Sequence, residues 1–281
     1  RSELYLAMSD PLNFAAIEEV GAATRRQVIP MIATEEALER ALQNLYSNQG
    51  TMKAIEDMRR DLEELLAGEY AIAGFGRYYG TRHTNEDEHS DILVRLERAE
   101  LRYCKTFWLS NRPEQYGSRG LLAAYPRICT VAEIRLRDSG RSIRVFNTHF
   151  DHISGPARNL AARIILQYMQ ELDLREPMPK LLMGDLNASY DSRCVRILRE
   201  NLHQYPFRLQ DAYEKHDGVR SNTYHRFAGR VKAGRSPIDY IFASEEFEIL
   251  SSRISTFSLD GEYPSDHFPL IADLVLKGDA E

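Results

Sequence analysis

Several features that would assign this chain to a class at once are missing from its sequence. No apolar run approaches the roughly 20 residues of a membrane-spanning helix, so no transmembrane segment is predicted. The three cysteines lie far apart, at Cys104, Cys129 and Cys194, which excludes a disulfide framework or a cysteine metal site and indicates buried thiols in a reducing compartment. We therefore expect a cytoplasmic protein. The first residue is Arg1 and not methionine, so a secreted protein whose targeting segment has been removed stays open as an alternative.

An excess of positive charge is also missing. The chain has 36 Lys and Arg against 42 Asp and Glu, a formal net charge of −6, which gives no long-range attraction for bulk nucleic acid. This balance argues against a general DNA-degrading enzyme. The sequence also has no Walker-type glycine-lysine loop, which excludes a P-loop ATPase motor.

The 281 residues suffice for one large domain and one small domain. Residues 1 to 48 predict a small β-α-β-α segment, and the polar stretch at residues 47–50 marks its end. We place the domain boundary there, with a small segment at 1–50 and a large domain at 51–281. An amphipathic helix is predicted at residues 52–66, and residues 106–110 are aromatic and expected to be half-buried. Alternating apolar residues predict a strand at 128–136 and a partner strand from Ile143, Pro156 opens a predicted helix, and the apolar run at 180–183 predicts a short strand. This mixture of hairpins and helices favours a mixed α/β or α+β fold.

Four short polar clusters, each next to an apolar strand-like segment, carry the functional signal. Any one of them alone is more often a turn or a strand end than a site, but their combination favours phosphoester hydrolysis, which needs a cation, a base and groups that hold phosphate and water. The clusters are Asn147-Thr148-His149, Gly184-Asp185-Leu186-Asn187, Ile238-Asp239-Tyr240-Ile241-Phe242 and Ser265-Asp266-His267-Phe268-Pro269-Leu270.

His267 is the predicted general base, because an imidazole titrates near neutral pH and accepts a proton from water. Asp239 is predicted to orient it through a hydrogen bond. Asp266 is then free to bind a metal ion, and the cofactor expected is Mg²⁺ or Mn²⁺, since hard divalent cations prefer carboxylate oxygens.

The other clusters supply the remaining predicted site residues. Asp185 is expected to orient water and Asn187 to donate to the phosphate, while His149 offers a second imidazole. Glu88 is a possible carboxylate partner of His149, and Asn147 is expected to hold the strand end. Asp151 and His152, which follow in the sequence, are explained about as well by surface polarity.

With these motifs, the chain from about Met52 to Lys277 resembles the endonuclease/exonuclease/phosphatase family of DNase I-like nucleases, sphingomyelinases and inositol phosphatases. The resemblance implies a four-layer sandwich of two mixed β-sheets flanked by helices. It also implies roles for His149, Asp185, Asn187, Asp239, Asp266 and His267 like those above, with Glu88 as the carboxylate that supports the first histidine.

The start of the chain departs from that family. Members open with a strand that bears an asparagine, followed by a second strand that ends in a metal-binding glutamate, and no residue before Met52 matches that ligand. Instead, residues 1–48 resemble the N-terminal domain of type II secretion and type IV pilus assembly ATPases, through Leu-Tyr-Leu-Ala-Met-Ser-Asp-Pro-Leu-Asn and Val-Ile-Pro-Met-Ile-Ala-Thr-Glu-Glu. A structural appendage is the expectation for this segment, and docking to secretion machinery is the less favoured alternative.

Two functions therefore stay open: an active divalent-metal-dependent phosphoesterase, phosphatase or nuclease, and a catalytically impaired family remnant that acts as a binding or fusion module. The expected substrate is a small phosphodiester, a lipid headgroup, a sugar phosphate or nucleic acid. A basic loop with Arg226, Arg230, Lys232 and Arg235 suits an anionic substrate, although a solvated loop explains it equally well.

Overall fold

A computed structural model describes residues 3–8, 14–24, 26–34, 64–81, 88–201 and 205–278. The chain divides into two compact units, Arg1–Leu65 and Leu66–Glu281. The predicted seam at residues 47–50, the second helix of the N-terminal segment and most of the helix predicted at 52–66 lie outside the described residues, so the domain boundary at residue 50 stays a prediction.

The first unit contains a β-α-β element. Strand β1 (Glu3–Met8) pairs in parallel with β2 (Gln27–Ile32), and helix α1 (Phe14–Thr24) lies between them in the chain. A helical crossover is the usual way to connect two parallel neighbours.

The second unit is built on a six-stranded mixed sheet, which confirms the predicted mixed α+β class. The elements of this unit are β3 (Tyr70–Ala73), β4 (Ile92–Arg95), β5 (Ala99–Trp108), β6 (Ile128–Leu136), β7 (Ser142–His149), α2 (Gly155–Asp173), β8 (Lys180–Asp185), α3 (Arg193–Arg199), β9 (Leu209–Asp211), a short 3-10 helix (Ala212–Lys215), β10 (Asp239–Ser244), β11 (Phe247–Ile254) and β12 (Leu270–Leu276). The strand order of the six-stranded sheet is β5-β6-β7-β8-β10-β9, with β7 and β8 parallel and the other neighbours antiparallel.

Both faces of this sheet are buried, and successive residues of its strands alternate between two cores. Phe146, Leu182 and Phe242 lie in the core that includes α2 and α3. Val145 and Ala243, each next in sequence to one of these, lie in the core that includes β3, β4, β11 and β12. This alternation follows from the two-residue period of a strand.

The second sheet of the predicted sandwich consists, within the described residues, of two separate two-stranded ladders, β3–β4 and β11–β12. The helices α2 and α3 pack on the opposite face of the large sheet. Of the amphipathic helix predicted at 52–66, only residues 64–66 are described, and these are helical. None of the described helices is both long and apolar enough to cross a membrane.

The sequence did not predict strand β5 and indicated only an aromatic, half-buried segment at residues 106–110. Phe107 and Trp108 are in fact fully buried at the end of a ten-residue strand. The earlier part of β5 carries Glu100, Arg102 and Lys105, because β5 is an edge strand of the large sheet. Charged residues are common on edge strands, where they hide the strand pattern.

A buried ion network joins β7, α2 and β8. Lys180 and Arg144 are each 2% exposed, and both bind Asp173, at 2.7 Å from Lys180 Nζ and 3.2 Å from Arg144 Nη1. Arg144 also lies 2.9 Å from Glu133 Oε1. Two buried cations therefore depend on the carboxylate of Asp173.

We expect Asp173→Ala to lower the free energy of unfolding by about 3–5 kcal/mol, because it leaves two buried cations without their shared partner. The matched control is Glu97→Ala, which removes an exposed carboxylate paired with Arg95 and should change stability by less than about 0.5 kcal/mol. Urea denaturation measures both. Equal effects of the two substitutions would contradict the prediction.

Candidate functional site

Strand register brings three predicted site residues into one row. His149 at the end of β7 is the register partner of Asp185 on the parallel strand β8, and Asp239 at the start of β10 is the partner of Asp185 on the other side. Side chains of register partners on neighbouring strands lie next to each other. The side chains of His149, Asp185 and Asp239 therefore form a row, in this order, across the edge of the sheet.

Gly184 is needed for this arrangement. Its φ is +140°, and a Cβ at this position would lie 1.8 Å from the carbonyl oxygen of Thr148. Any side chain would therefore push β8 away from β7 just before Asp185.

Asn187 reaches back to the row from a left-handed conformation, with φ of 46°. Its backbone N–H donates to Asp185 Oδ1 at 2.7 Å. Its side-chain Nδ2 lies 2.9 Å from His149 Nε2 and 3.1 Å from the carbonyl oxygen of Phe150. The turn after β8 thus orients both Asp185 and the amide of Asn187.

Glu88 is the centre of a charged cluster on the other side of His149. Its carboxylate contacts His149 Nδ1 and Arg77, and Arg127 Nη1 lies 2.9 Å away. Burial acts to raise the pKa of Glu88, but the hydrogen bond from His149 and the charges of His149, Arg127 and Arg77 outweigh it and lower that pKa to about 2. Glu88 is therefore ionised at neutral pH.

His267 is hydrogen-bonded to Asp239, with 2.8 Å between Nδ1 and Oδ2. Burial acts to lower the pKa of His267, but the bond to Asp239 and the nearby carboxylates raise it overall. Thr223 links the segment that contains Asp239 to the segment that contains His267. Its hydroxyl accepts a hydrogen bond from the backbone N–H of Asp239 at 3.3 Å, and its carbonyl accepts one from the backbone N–H of Phe268 at 2.7 Å.

Asp185 lies between the two imidazoles. Its Oδ2 is 3.4 Å from His149 Nε2 and 4.0 Å from His267 Nε2. Burial and the neighbouring charge of Asp239 raise the pKa of Asp185.

Among the described residues, only one group of three or more His, Cys, Asp or Glu side chains is close enough together to hold a metal ion. It consists of Asp185, Asp239 and His267, whose ligand atoms lie within 4.8 Å of one another. Asp266, the predicted metal ligand, is not in this group. Its carboxylate is near enough to raise the pKa of His267, and its backbone carbonyl accepts from His225 at 2.9 Å.

Asn147 lies on β7, two residues before His149, and its amide donates a hydrogen bond to the carbonyl oxygen of Asp91 at 2.9 Å. It holds the segment that precedes β4 against β7. Asp151 is 2% exposed and accepts from the backbone of Ala124, Ile153 and Ser154, so its carboxylate stabilises the loop after β7.

Five of the predicted site residues, Glu88, His149, Asp185, Asn187 and His267, line a cleft of about 560 Å³. It also contains cationic and aromatic residues that the sequence did not indicate, since isolated arginines and tyrosines carry no motif. The residues lining it are Arg77, Glu88, Tyr125, Arg127, His149, His152, Asp185, Asn187, Tyr224, Ile238 and His267.

The basic loop residues predicted to bind substrate are absent from the described lining of this cleft. Arg226 donates to the hydroxyl of Tyr224 at 3.2 Å, and Tyr224 does line the cleft. Arg235 lines a separate pocket. Arg230 and Lys232 are exposed. The guanidinium groups of the cleft are those of Arg77 and Arg127.

Comparisons of sequence profiles match both parts of the chain. The profile of the Endonuclease/Exonuclease/phosphatase family matches residues 44–267. The profile of the MshEN domain matches residues 1–52, the segment that resembles the N-terminal domain of secretion ATPases. No curated protein sequence gave a significant match.

Solved structures are similar to the chain over most of its length. An endonuclease/exonuclease/phosphatase family protein from Bacteroides thetaiotaomicron is 30% identical, with a TM-score of 0.68 over 79% of this chain and 78% of that one. A mannosyl-6-phosphatase from Bacteroides thetaiotaomicron VPI-5482 is 30% identical, with a TM-score of 0.67 over 77% of this chain and 80% of that one. The human Nocturnin catalytic domain shares the fold at 16% identity, with a TM-score of 0.58 over 80% and 78%.

The low pKa of Glu88 predicts a pH-dependent contribution to stability. A carboxylate with a lowered pKa stabilises the folded state above its ordinary value near 4.5, and this contribution is lost as the pH falls towards about 2. Glu88→Gln should therefore be less stable than the parent at neutral pH, and the difference should shrink below about pH 4.5. Urea denaturation across this range measures it, with the exposed Glu114→Gln as control. A difference that does not change with pH would contradict the assignment.

Proposed function

The chain belongs to the endonuclease/exonuclease/phosphatase family, and from that premise we propose that it is a divalent-metal-dependent phosphoester hydrolase in which His267 is the general base. The observation that carries the proposal is the row of His149, Asp185 and Asp239 at one sheet edge, with His267 hydrogen-bonded to its last member. A base, the carboxylate that orients it and a second imidazole thus lie together at one edge of the sheet.

In this proposal Asp239 accepts a hydrogen bond from Nδ1 of His267 and fixes the tautomer of the ring. Nε2 is then the nitrogen that accepts a proton from water. Asp185, whose Oδ2 faces both imidazoles, orients that water. The amide of Asn187 holds His149, and in this proposal the hydrogen bond to His149 is exchanged for one to a phosphate oxygen when substrate binds.

The donor set at this edge fits a hard divalent cation. Carboxylate oxygens of Asp185 and Asp239 lie within 4.8 Å of each other, and burial together with the charge of Asp239 raises the pKa of Asp185, so two like charges lie close together where a cation would neutralise them. We propose that Asp185, with Asp239 beside it, would hold Mg²⁺ or Mn²⁺, and that Asp266, whose carboxylate is near enough to His267 to raise the pKa of that imidazole, would be a further ligand of the same site. A bound ion would neutralise the charge that develops on the phosphate oxygens.

For the substrate we propose a small phosphomonoester such as a sugar phosphate. Arg77 and Arg127 provide fixed positive charge in the cleft, and the rings of Tyr125 and Tyr224, each about 40% exposed, offer flat surfaces for the rest of the molecule. One similar structure, at 30% identity, is a mannosyl-6-phosphatase. A cleft of about 560 Å³ suits a small ligand.

His267→Gln should lower kcat for a sugar phosphate by about 10²- to 10⁴-fold, because it removes the proton acceptor. The matched control is His216→Gln, since His216 is also half-buried and bonded to one side chain, Ser252, but does not line the cleft. Phosphate release measures both variants. Equal rates in His267→Gln and the parent would exclude His267 as the base.

Magnesium binding should be stoichiometric in calorimetry and weaker by at least about tenfold in Asp266→Asn and Asp185→Asn, since each loses a charged oxygen ligand. Asp138→Asn, in an exposed turn, is the control. Unchanged binding in both variants would refute the assigned ligands. A parent that binds no divalent ion and releases no phosphate would favour the alternative, a family member that has kept the fold as a binding module.

A further inference from the structure

A second pocket adjoins the proposed catalytic cleft. Its volume is about 330 Å³, and its walls include Tyr190, Asp191, Arg220, Arg235, Ser236 and Pro237; we call it the arginine pocket. Pro237 lines this pocket, and the next residue, Ile238, lines the catalytic cleft. The two pockets therefore share a wall at the peptide between Pro237 and Ile238, and a ligand that occupies both has to span that wall.

The aromatic ring of Tyr190 fixes one of the two cations. The guanidinium carbon of Arg220 lies 4.1 Å from the ring centroid, and that of Arg199 lies 3.9 Å from the same centroid. Stacking of this kind restricts a guanidinium to one plane and leaves its edge free for hydrogen bonds. Arg220 is thus held in place without a carboxylate partner.

The charge of the arginine pocket is not balanced by its own walls. Neither Arg220 nor Arg235 forms an ion pair in the part of the chain that the structure describes, and Asp191 is the single carboxylate residue of the lining. Arg199 already binds Glu200, at 3.2 Å. The carboxylate of Asp211 is also near enough to interact with the charge of Arg220, but it is fully buried and does not line the pocket. The lining itself therefore has two guanidinium groups against one carboxylate, which suits an anionic ligand.

Hydrogen bonds between its walls hold the arginine pocket in shape. The backbone N–H of Tyr190 donates to the hydroxyl of Ser236 at 2.7 Å. The backbone N–H of Gly234, in a left-handed turn with φ of +74°, donates to the carbonyl of Arg220 at 2.9 Å. The three segments that form the walls are therefore linked before any ligand binds, which lowers the entropic cost of binding.

We propose that the arginine pocket binds a second phosphate group of the substrate, one that is not hydrolysed, through Arg220 and Arg235. This inference rests on the proposed function of the neighbouring cleft. It narrows the substrate class to molecules that carry two phosphates at a fixed separation, and it gives Arg235 a place in a pocket beside the cleft.

The test uses alkanediol bisphosphates of increasing chain length, each compared with the alkanol monophosphate of the same length. Calorimetry measures affinity and phosphate release measures kcat/KM, both with Mg²⁺ present. The parent should prefer the bisphosphate at one range of lengths. Arg220→Gln and Arg235→Gln should each reduce that preference by at least about tenfold, because a charge-assisted hydrogen bond is lost, and should leave the monophosphates unchanged. Arg253→Gln, on β11 and outside both pockets, should keep the preference.

The outcomes separate the two proposals. Hydrolysis of the monophosphates without a bisphosphate preference at any length, or a preference that survives both substitutions, would overturn the arginine pocket and leave the proposed function intact. If no ester is hydrolysed, the proposed function fails, and calorimetry then tests the arginine pocket by itself. Equal affinities of the parent and Arg235→Gln for the bisphosphates would overturn the proposed phosphate binding in that pocket. Arg235 is exposed, so its substitution keeps the test valid even if Arg220→Gln fails to fold.

Discussion

The close approach of strands β7 and β8 at Gly184 is the constraint on which the site depends. The space between Gly184 and the carbonyl of Thr148 has no room for a Cβ, and the parallel register that this contact permits sets Asp185 beside His149. On its other side β8 pairs with β10, whose first residue is Asp239. Three segments that are distant in the chain therefore deliver their polar residues to one edge, while the apolar residues behind them fill the two cores.

Charge in the cleft is arranged so that each ionised group depends on its neighbours. Glu88 remains ionised because His149, Arg127 and Arg77 surround it, and His267 keeps a raised pKa because Asp239 and other carboxylates face it. His149 joins the two groups, since one ring nitrogen contacts Glu88 and the other faces Asp185. Substitutions at these positions should therefore be non-additive, because removing one charge changes the protonation and geometry of the next.

The sequence was sufficient for features that local patterns determine. The alternation along β6 and β7, the proline at the start of α2 and the apolar run of β8 predicted these elements correctly, and the mixed α+β class followed from them. The polar clusters also identified His149, Asp185 and Asp239 as neighbours, because strand ends of one sheet meet at one edge, and they identified His267, which precedes β12 in another sheet, as the partner of Asp239. Register, which decides that Asp239 and not Asp266 lies opposite Asp185, is a property of strand pairing that no single strand reveals.

The features that the sequence could not supply depend on contacts between distant segments. Arg77 and Arg127 are fifty residues apart and belong to no motif, yet both bind Glu88, because its carboxylate is the ionised partner that two poorly solvated guanidinium groups require.

The basic loop at residues 226–235 has the composition expected of a phosphate site, but its cations lie outside the cleft, since a loop's path and not its composition decides where its side chains go. The position of Arg220 also depends on a contact between distant segments. The two residues before it, Gly218 and Val219, are uncharged, and the ring of Tyr190, thirty residues earlier, fixes its guanidinium group. The proposed substrate contacts therefore depend on long-range packing, whereas the proposed catalytic groups depend on short motifs at strand ends, and the two can change separately.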